Sequence, residues 1–134
     1  MLSQQTLSLL SELQAKSSAA YPEGGLLYTY VEAANQAHSR YPSGSSASSG
    51  LSPGELKDLG RFLRLSQGDY HRESMMPQLF EAAEGLINCL QTDLNFDEVS
   101  YLVRDEGDDM TIKLSMARRL DNRYFELELW WSVD

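Results

Sequence analysis

Few side chains in this chain could do covalent chemistry. One cysteine, Cys89, and two histidines, His38 and His71, are the only candidates for a thiol nucleophile and its base. Cys89 adjoins the apolar stripe of a helical pattern, where a free cysteine behaves as a small hydrophobe. Nothing in the spacing sets a general base or an oxyanion donor beside it. The chain has no Walker-type loop, dinucleotide fingerprint, zinc-ligand spacing, nucleophile elbow or paired-carboxylate motif. The expectation is a protein that is not an enzyme and has neither cofactor nor metal site.

The charged clusters are the next candidates. Asp105-Glu106-Gly107-Asp108-Asp109 is the most acidic run. It lacks the alternating ligand order and the closing Glu of a calcium loop. Charge at a hairpin tip resists edge-to-edge aggregation. The sharper reading makes Asp105, Asp108 and Asp109 an acidic contact for a basic partner. Arg118, Arg119 and Arg123 gather round a second turn. Guanidinium forks bind carboxylates well, so these three could hold an acidic group or a peptide tail. The alternative is neutralisation by local acids such as Asp121 and Glu126.

These clusters are positioned by the stretch from Val99 to Trp131, which carries the cleanest pattern in the chain. Val99, Tyr101 and Val103 form one apolar set, Met110, Ile112, Leu114 and Met116 a second, and Phe125, Leu127, Leu129 and Trp131 a third. Alternation at period two puts each set on one face of a strand. Gly107-Asp108 suits a two-residue turn that pairs Val103 with Ile112, Tyr101 with Leu114 and Val99 with Met116. Asp121-Asn122 suits a type I′ turn that pairs Met116 with Leu127, Leu114 with Leu129 and Ile112 with Trp131. Both turns place all three apolar sets on the same face. The second face is mixed and carries Lys113, Tyr124, Glu128 and Trp130. Lys113 is expected opposite Trp130, in cation–π reach. Trp130 and Tyr124, with Lys113 and Glu128 beside them, are the candidate partner-binding residues, since aromatics anchor interfaces.

Upstream, Leu2, Thr6, Leu9, Leu10 and Leu13 recur at helical spacing and predict a helix from about Ser3 to Ala19. Leu27, Tyr30, Val31, Ala34, His38 and Tyr41 also fit one helical face, which predicts a second helix to about Arg40. Residues 42–50 are rich in Ser and Gly and read as a flexible linker. Ser52-Pro53-Gly54-Glu55 is a capping box with proline at the first helical position. Met76, Leu79, Phe80, Ala83, Ile87 and Leu90 mark a fourth helix, capped by Ser74, that covers one face of the strands. The expected fold is α+β: N-terminal helices followed by a three-stranded antiparallel meander covered on one face by helix. Residues 1–134 are read as one domain, with a helical arm (1–41), the linker (42–50) and a body (51–134).

Composition narrows the partners. The net charge is −9 over 134 residues, and residues 51–134 carry −8 of it. Affinity for nucleic acid rests on neutralising phosphates with Lys and Arg, so nucleic acid is not an expected partner. No stretch approaches the roughly 20 apolar residues of a membrane span, and no basic region followed by an apolar run suggests a signal peptide. With a single cysteine, a reducing compartment is compatible, and the expected location is cytoplasmic. Assembly chaperones, adaptors and inhibitors share this small acidic α+β profile, a likeness of class only. The leading expectation is a non-catalytic adaptor or assembly factor that captures a segment of a larger protein. The alternative is an immunity-type inhibitor that covers the basic surface of a toxin or nuclease; an enzyme is a distant third. The oligomeric state is not legible.

Overall fold

The computed structural model describes residues 2–33, 50–66, 68, 76–106 and 109–132, with backbone alone at 33 and 76–79. Along the chain run α1 (Gln4–Ala20), β1 (Gly25–Ala33), α2 (Pro53–Leu65), α3 (Met76–Leu94), β2 (Glu98–Asp105), β3 (Asp109–Arg118) and β4 (Arg123–Ser132). Residues 42–49 of the expected linker, residues 34–40 of the expected second helix, the Ser74 cap, His71 and Asp108 lie outside the described residues, His38 among them.

α1 starts where Ser3, in an extended conformation, accepts the Thr6 N–H through its hydroxyl at 3.3 Å. It ends at Tyr21, whose N–H closes onto the Ser17 carbonyl. Gly25, at φ 113°, then turns the chain back. A side chain would resist that conformation. The chain continues as a strand, not as the expected helix. Along β1, Leu26 is buried, Leu27 exposed, Tyr28 half-buried, Thr29 exposed, Tyr30 half-buried and Val31 exposed, which is strict alternation. Tyr28, Thr29, Tyr30 and Val31 are aromatic or β-branched, types that suit a pleated surface.

β1 pairs antiparallel with β4, from Gly25↔Ser132 to Ala33↔Tyr124. The sheet therefore has four strands in the order β1-β4-β3-β2, and the expected three-stranded meander is its β2–β3–β4 part. The N-terminal residues are built into this sheet and its core; they do not stand off as a helical arm. The β2–β3 register is the expected one, with Val103↔Ile112, Tyr101↔Leu114 and Val99↔Met116. The β3–β4 register differs by two residues: Met116 faces Phe125, Leu114 faces Leu127 and Ile112 faces Leu129. A type I′ turn needs positive φ at both central residues, and of Asp121 and Asn122 only Asn122 has it, at 54°. The chain turns over 119–122, with Asn122 N–H donating to the Arg119 carbonyl at 3.2 Å, and Arg118↔Arg123 is the last pair. A shift of two preserves the facing of every side chain.

All three helices contribute to one core against one face of the sheet. Leu10 and Leu13 of α1, Leu59, Phe62 and Leu63 of α2, and Ala83, Leu86, Leu90 and Leu94 of α3 meet Leu26, Ile112, Leu114, Met116, Leu127 and Leu129. Of the expected α3 stripe, Ala83 and Leu90 are fully buried, together with Leu86 and Leu94, while Phe80 and Ile87 are half-buried at its margin. α2 carries the expected capping box, with Ser52 Oγ accepting Glu55 N–H at 3.2 Å and Glu55 Oε1 accepting Ser52 N–H at 2.9 Å. Tyr21 ties the layers together. Its ring meets Trp131 edge-on at 5.3 Å, and its hydroxyl donates to the Leu65 carbonyl at 2.6 Å.

Candidate protein-binding face

Register fixes what the other face of the sheet presents, as four cross-strand rows. The first is Leu27–Trp130–Thr111–Arg104 and the second Thr29–Glu128–Lys113–Leu102. The third is Val31–Glu126–Ser115–Ser100 and the fourth Ala33–Tyr124–Ala117–Glu98. The first two rows are the open ones. Leu27 is 55% exposed, Leu102 43% and Trp130 39%; in the third row Val31 is 41% exposed on the outer strand, whereas Glu126, Ser115 and Ser100 are buried. Three of these four exposed apolar side chains lie in the half of the face nearest the β2–β3 hairpin. There a shallow depression of about 350 Å³ is lined by Leu102, Val103, Arg104, Thr111, Lys113 and Glu128.

Lys113 does not meet Trp130. The two-residue difference in register puts Glu128 opposite Lys113 and Thr111 opposite Trp130. The ammonium lies 3.1 Å from Glu126 and 3.9 Å from Glu128. Glu126 is only 4% exposed, and a buried carboxylate needs a charge partner; Lys113 supplies one. The expected cation–π contact is thus an ion pair. The arginine that does lie over a ring is Arg118, 5.3 Å from the centre of Phe125.

Tyr124 is on the same face as Trp130 but six residues along β4, about 20 Å away at roughly 3.3 Å per residue. It is half-buried, and its hydroxyl donates to Asn122 Oδ1 at 3.1 Å. The two aromatics therefore do not form one contiguous anchor.

The three arginines gather at the opposite end of the strands, and local carboxylates engage each of them. Arg118 grips Asp121 through two hydrogen bonds of 2.9 and 3.0 Å and donates to the Leu94 carbonyl at the end of α3. The Asp121 hydrogen bonds raise the Arg118 guanidinium above its ordinary value, and the same bonds hold the Asp121 carboxyl below its own. Arg119 pairs with Glu98, and its N–H donates to Asp97 at 2.6 Å. Arg123 pairs with Glu32 at 3.4 Å. Asp121 is thus a neutraliser as expected, whereas Glu126 pairs with Lys113. By register, Arg118 and Arg123 share the helix-covered face with Met116 and Phe125, away from Trp130. At the acidic end, Asp105 is exposed, Asp109 half-buried, and Glu106 N–H donates to the Asp109 carbonyl at 2.9 Å.

One polar cluster was not legible in the sequence. Asp93, near the end of α3, accepts hydrogen bonds from Ser3 N–H at 3.0 Å and from the Thr6 hydroxyl, docking the start of α1. Burial alone would raise the Asp93 carboxyl; these bonds outweigh it and hold the group below the usual aspartate range. Nearby, the Tyr30 hydroxyl donates to Glu32 at 2.7 Å. Burial first, then that carboxylate, push the phenol well above its ordinary value. The only advance signal was the polar face of α1, and it named no partner. Cys89 is half-buried beside a cavity of about 130 Å³ lined by Ser3, Gln5, Thr6, Asn88, Thr92 and Asp93.

Neither a family model, nor a characterised protein, nor a solved structure matches the chain. Among the described residues, no helix is long and apolar enough to cross a membrane.

Proposed function

We propose that this chain is a non-catalytic, cytoplasmic adaptor or assembly factor that captures a segment of a larger protein on the open half of its sheet. The observation that carries this reading is the row Leu27–Trp130, two large apolar side chains left exposed side by side on paired strands. An exposed tryptophan held by a rigid scaffold is the usual form of a binding hot spot. The acidic balance of the chain favours a basic partner.

The test compares neighbouring tryptophans. Trp130→Ala should leave the melting temperature near wild type and weaken the partner by at least ~2 kcal/mol, the hot-spot threshold. Trp131→Ala should unfold the domain first, because Trp131 is buried against Tyr21. A Trp130→Ala protein that retains wild-type affinity for the native partner would refute the reading.

The second reading is an immunity-type inhibitor of a basic toxin or nuclease. It draws on the acidic run with Asp105, Glu106 and Asp109 at the end of the hairpin. The two readings separate at Trp130. An inhibitor that docks through the acidic run keeps its target after Trp130→Ala and loses association rate steeply as ionic strength rises, whereas capture on the open face is weakened by that substitution at any salt.

A further inference from the structure

β2 is an outer strand of the sheet, and its second half is uncovered on both faces. Val103, which by register points to the helix side, is 47% exposed, and Leu102 on the opposite side 43%. The ladder determines which main-chain groups of this strand remain outward. Glu106 N–H bonds the Asp109 carbonyl, and bonding alternates along an antiparallel pair. Leu102 and Arg104 therefore turn their amides and carbonyls towards β3, while Tyr101 and Val103 turn theirs away from the sheet.

The surroundings of that edge are chemically two-sided. On the helix side, Tyr101 is half-buried, and its phenol is raised by burial first and then by the charges of Asp58 and Glu55 on α2. Asp105 comes next on the same side, two residues beyond Val103. On the open side lie Leu102, Arg104 and the depression of about 350 Å³. Acids thus line one side of an added strand, and on the other Leu102 stands at the lip of a mixed hollow that also carries Arg104, Thr111, Lys113 and Glu128.

We infer that the β2 edge around Tyr101 and Val103 takes up an extended segment of a partner protein as a fifth strand, with basic side chains towards α2 and apolar ones towards Leu102. This rests on the adaptor reading above and specifies the chemistry of the captured segment. Main-chain bonds would give such a segment its affinity and alternate side chains its selectivity. Charge disfavours a second copy as the occupant. A two-fold pairing about Val103 brings the Asp105–Glu106 end of each copy to the Glu55–Asp58 region of the other, and each chain carries −9.

The probe is a short synthetic peptide of alternating lysine and valine, added to the full chain. Binding should slow amide hydrogen exchange at Tyr101 and Val103 and leave the already bonded Leu102 and Arg104 amides unchanged. N-methylation of alternate peptide residues, which leaves the protein untouched, should weaken binding by roughly tenfold or more. Val103→Pro should do the same at near-unchanged melting temperature, because an outward N–H on an edge strand is where proline is tolerated. Asp58→Asn with Asp105→Asn should weaken the lysine peptide and leave an alternating serine–valine peptide unaffected. Indifference to N-methylation, or protection confined to residues around Trp130, would overturn the inference. So would sedimentation as a dimer with the same two amides protected in the absence of peptide. The two proposals fail separately. Loss of the native partner with Trp130→Ala, together with no peptide protection at Tyr101 and Val103, sinks the edge and keeps the face. Peptide protection with a silent Trp130→Ala keeps the edge and sinks the face.

Discussion

Leu114→Ala is the most direct test of the core. Leu114 is fully buried on β3, a central strand, with Tyr101 and Leu127 as its cross-strand neighbours. Truncation removes buried carbons worth about 2 kcal/mol in transfer free energy. A cavity term adds to this, and buried leucine truncations cost about 2–5 kcal/mol in all. The structure argues for the upper part of that range. β3 is bonded on both sides, so its backbone cannot move into the space, and helices cover the residue from above. The expected loss is therefore about 3–5 kcal/mol. With unfolding entropy near 2.1 cal/mol/K per residue, 134 residues give about 0.28 kcal/mol/K, so the melting temperature should fall by roughly 11–18 °C. Thermal unfolding followed by near-ultraviolet circular dichroism reads this directly, since Trp131 and Tyr21 sit in the same core. A fall of less than about 4 °C, roughly 1 kcal/mol on the same scale, would refute the facing of β3 and with it the register on both sides.

Two further predictions concern stability. The folded Asp93 carboxyl lies below its ordinary value, so its contribution is present above the ordinary aspartate pKa of about 4 and is lost as pH falls through the lowered folded value. Asp93→Asn should therefore destabilise at neutral pH and flatten the fall in stability below about pH 4; an unchanged acid-unfolding profile would refute the Ser3–Asp93–Thr6 docking. Gly68 has φ +81°, and an added Cβ would come within 2.6 Å of Ala20 Cβ. Gly68→Ala should cost about 1 kcal/mol or more by urea denaturation, and a neutral or stabilising result would count against both the conformation and the contact.

How much was legible depended on whether a signal was local. The alternation in β2, β3 and β4, the Ser52 capping box and the start of α1 at Ser3 all lie within a few residues of the structure they determine. β1 does not. Leu26, Leu27, Tyr28, Tyr30 and Val31 are apolar at nearly every position, so helical and strand periods both fit, and pairing with β4 about a hundred residues later makes the segment a strand. The β3–β4 register was ambiguous for a different reason. Two turn lengths that differ by two residues leave every apolar side chain on the same face, so hydrophobic pattern cannot choose between them; the backbone of Asp121 does. The same shift explains the site. It moved Lys113 from Trp130 to Glu128 and Glu126, and no feature of the sequence marked Glu126 as a buried carboxylate.

The added strand also changes the nature of the candidate site. In a three-stranded meander β4 would be an edge, and Trp130 would sit on it with a neighbour on one side only. With β1 in place, Trp130 lies between Leu27 and Thr111 on a strand bonded on both sides, so little conformational freedom remains to be lost when a partner covers it. β1 likewise removes β4 as a docking edge and leaves β2 as the meander's open one. The charge distribution then selects the partner's sign. The arginines at the far end are engaged by Asp121, Glu98 and Glu32, and on the open face Lys113 is held by Glu126 and Glu128. At the hairpin end Asp105 and Glu106 are exposed. That end is shared by Trp130, Leu27 and the uncovered half of β2. A partner that reaches the apolar face must pass this acidic rim, so association of a lysine-bearing segment should be faster than that of its glutamate-bearing counterpart at low salt, and the difference should shrink as salt is added.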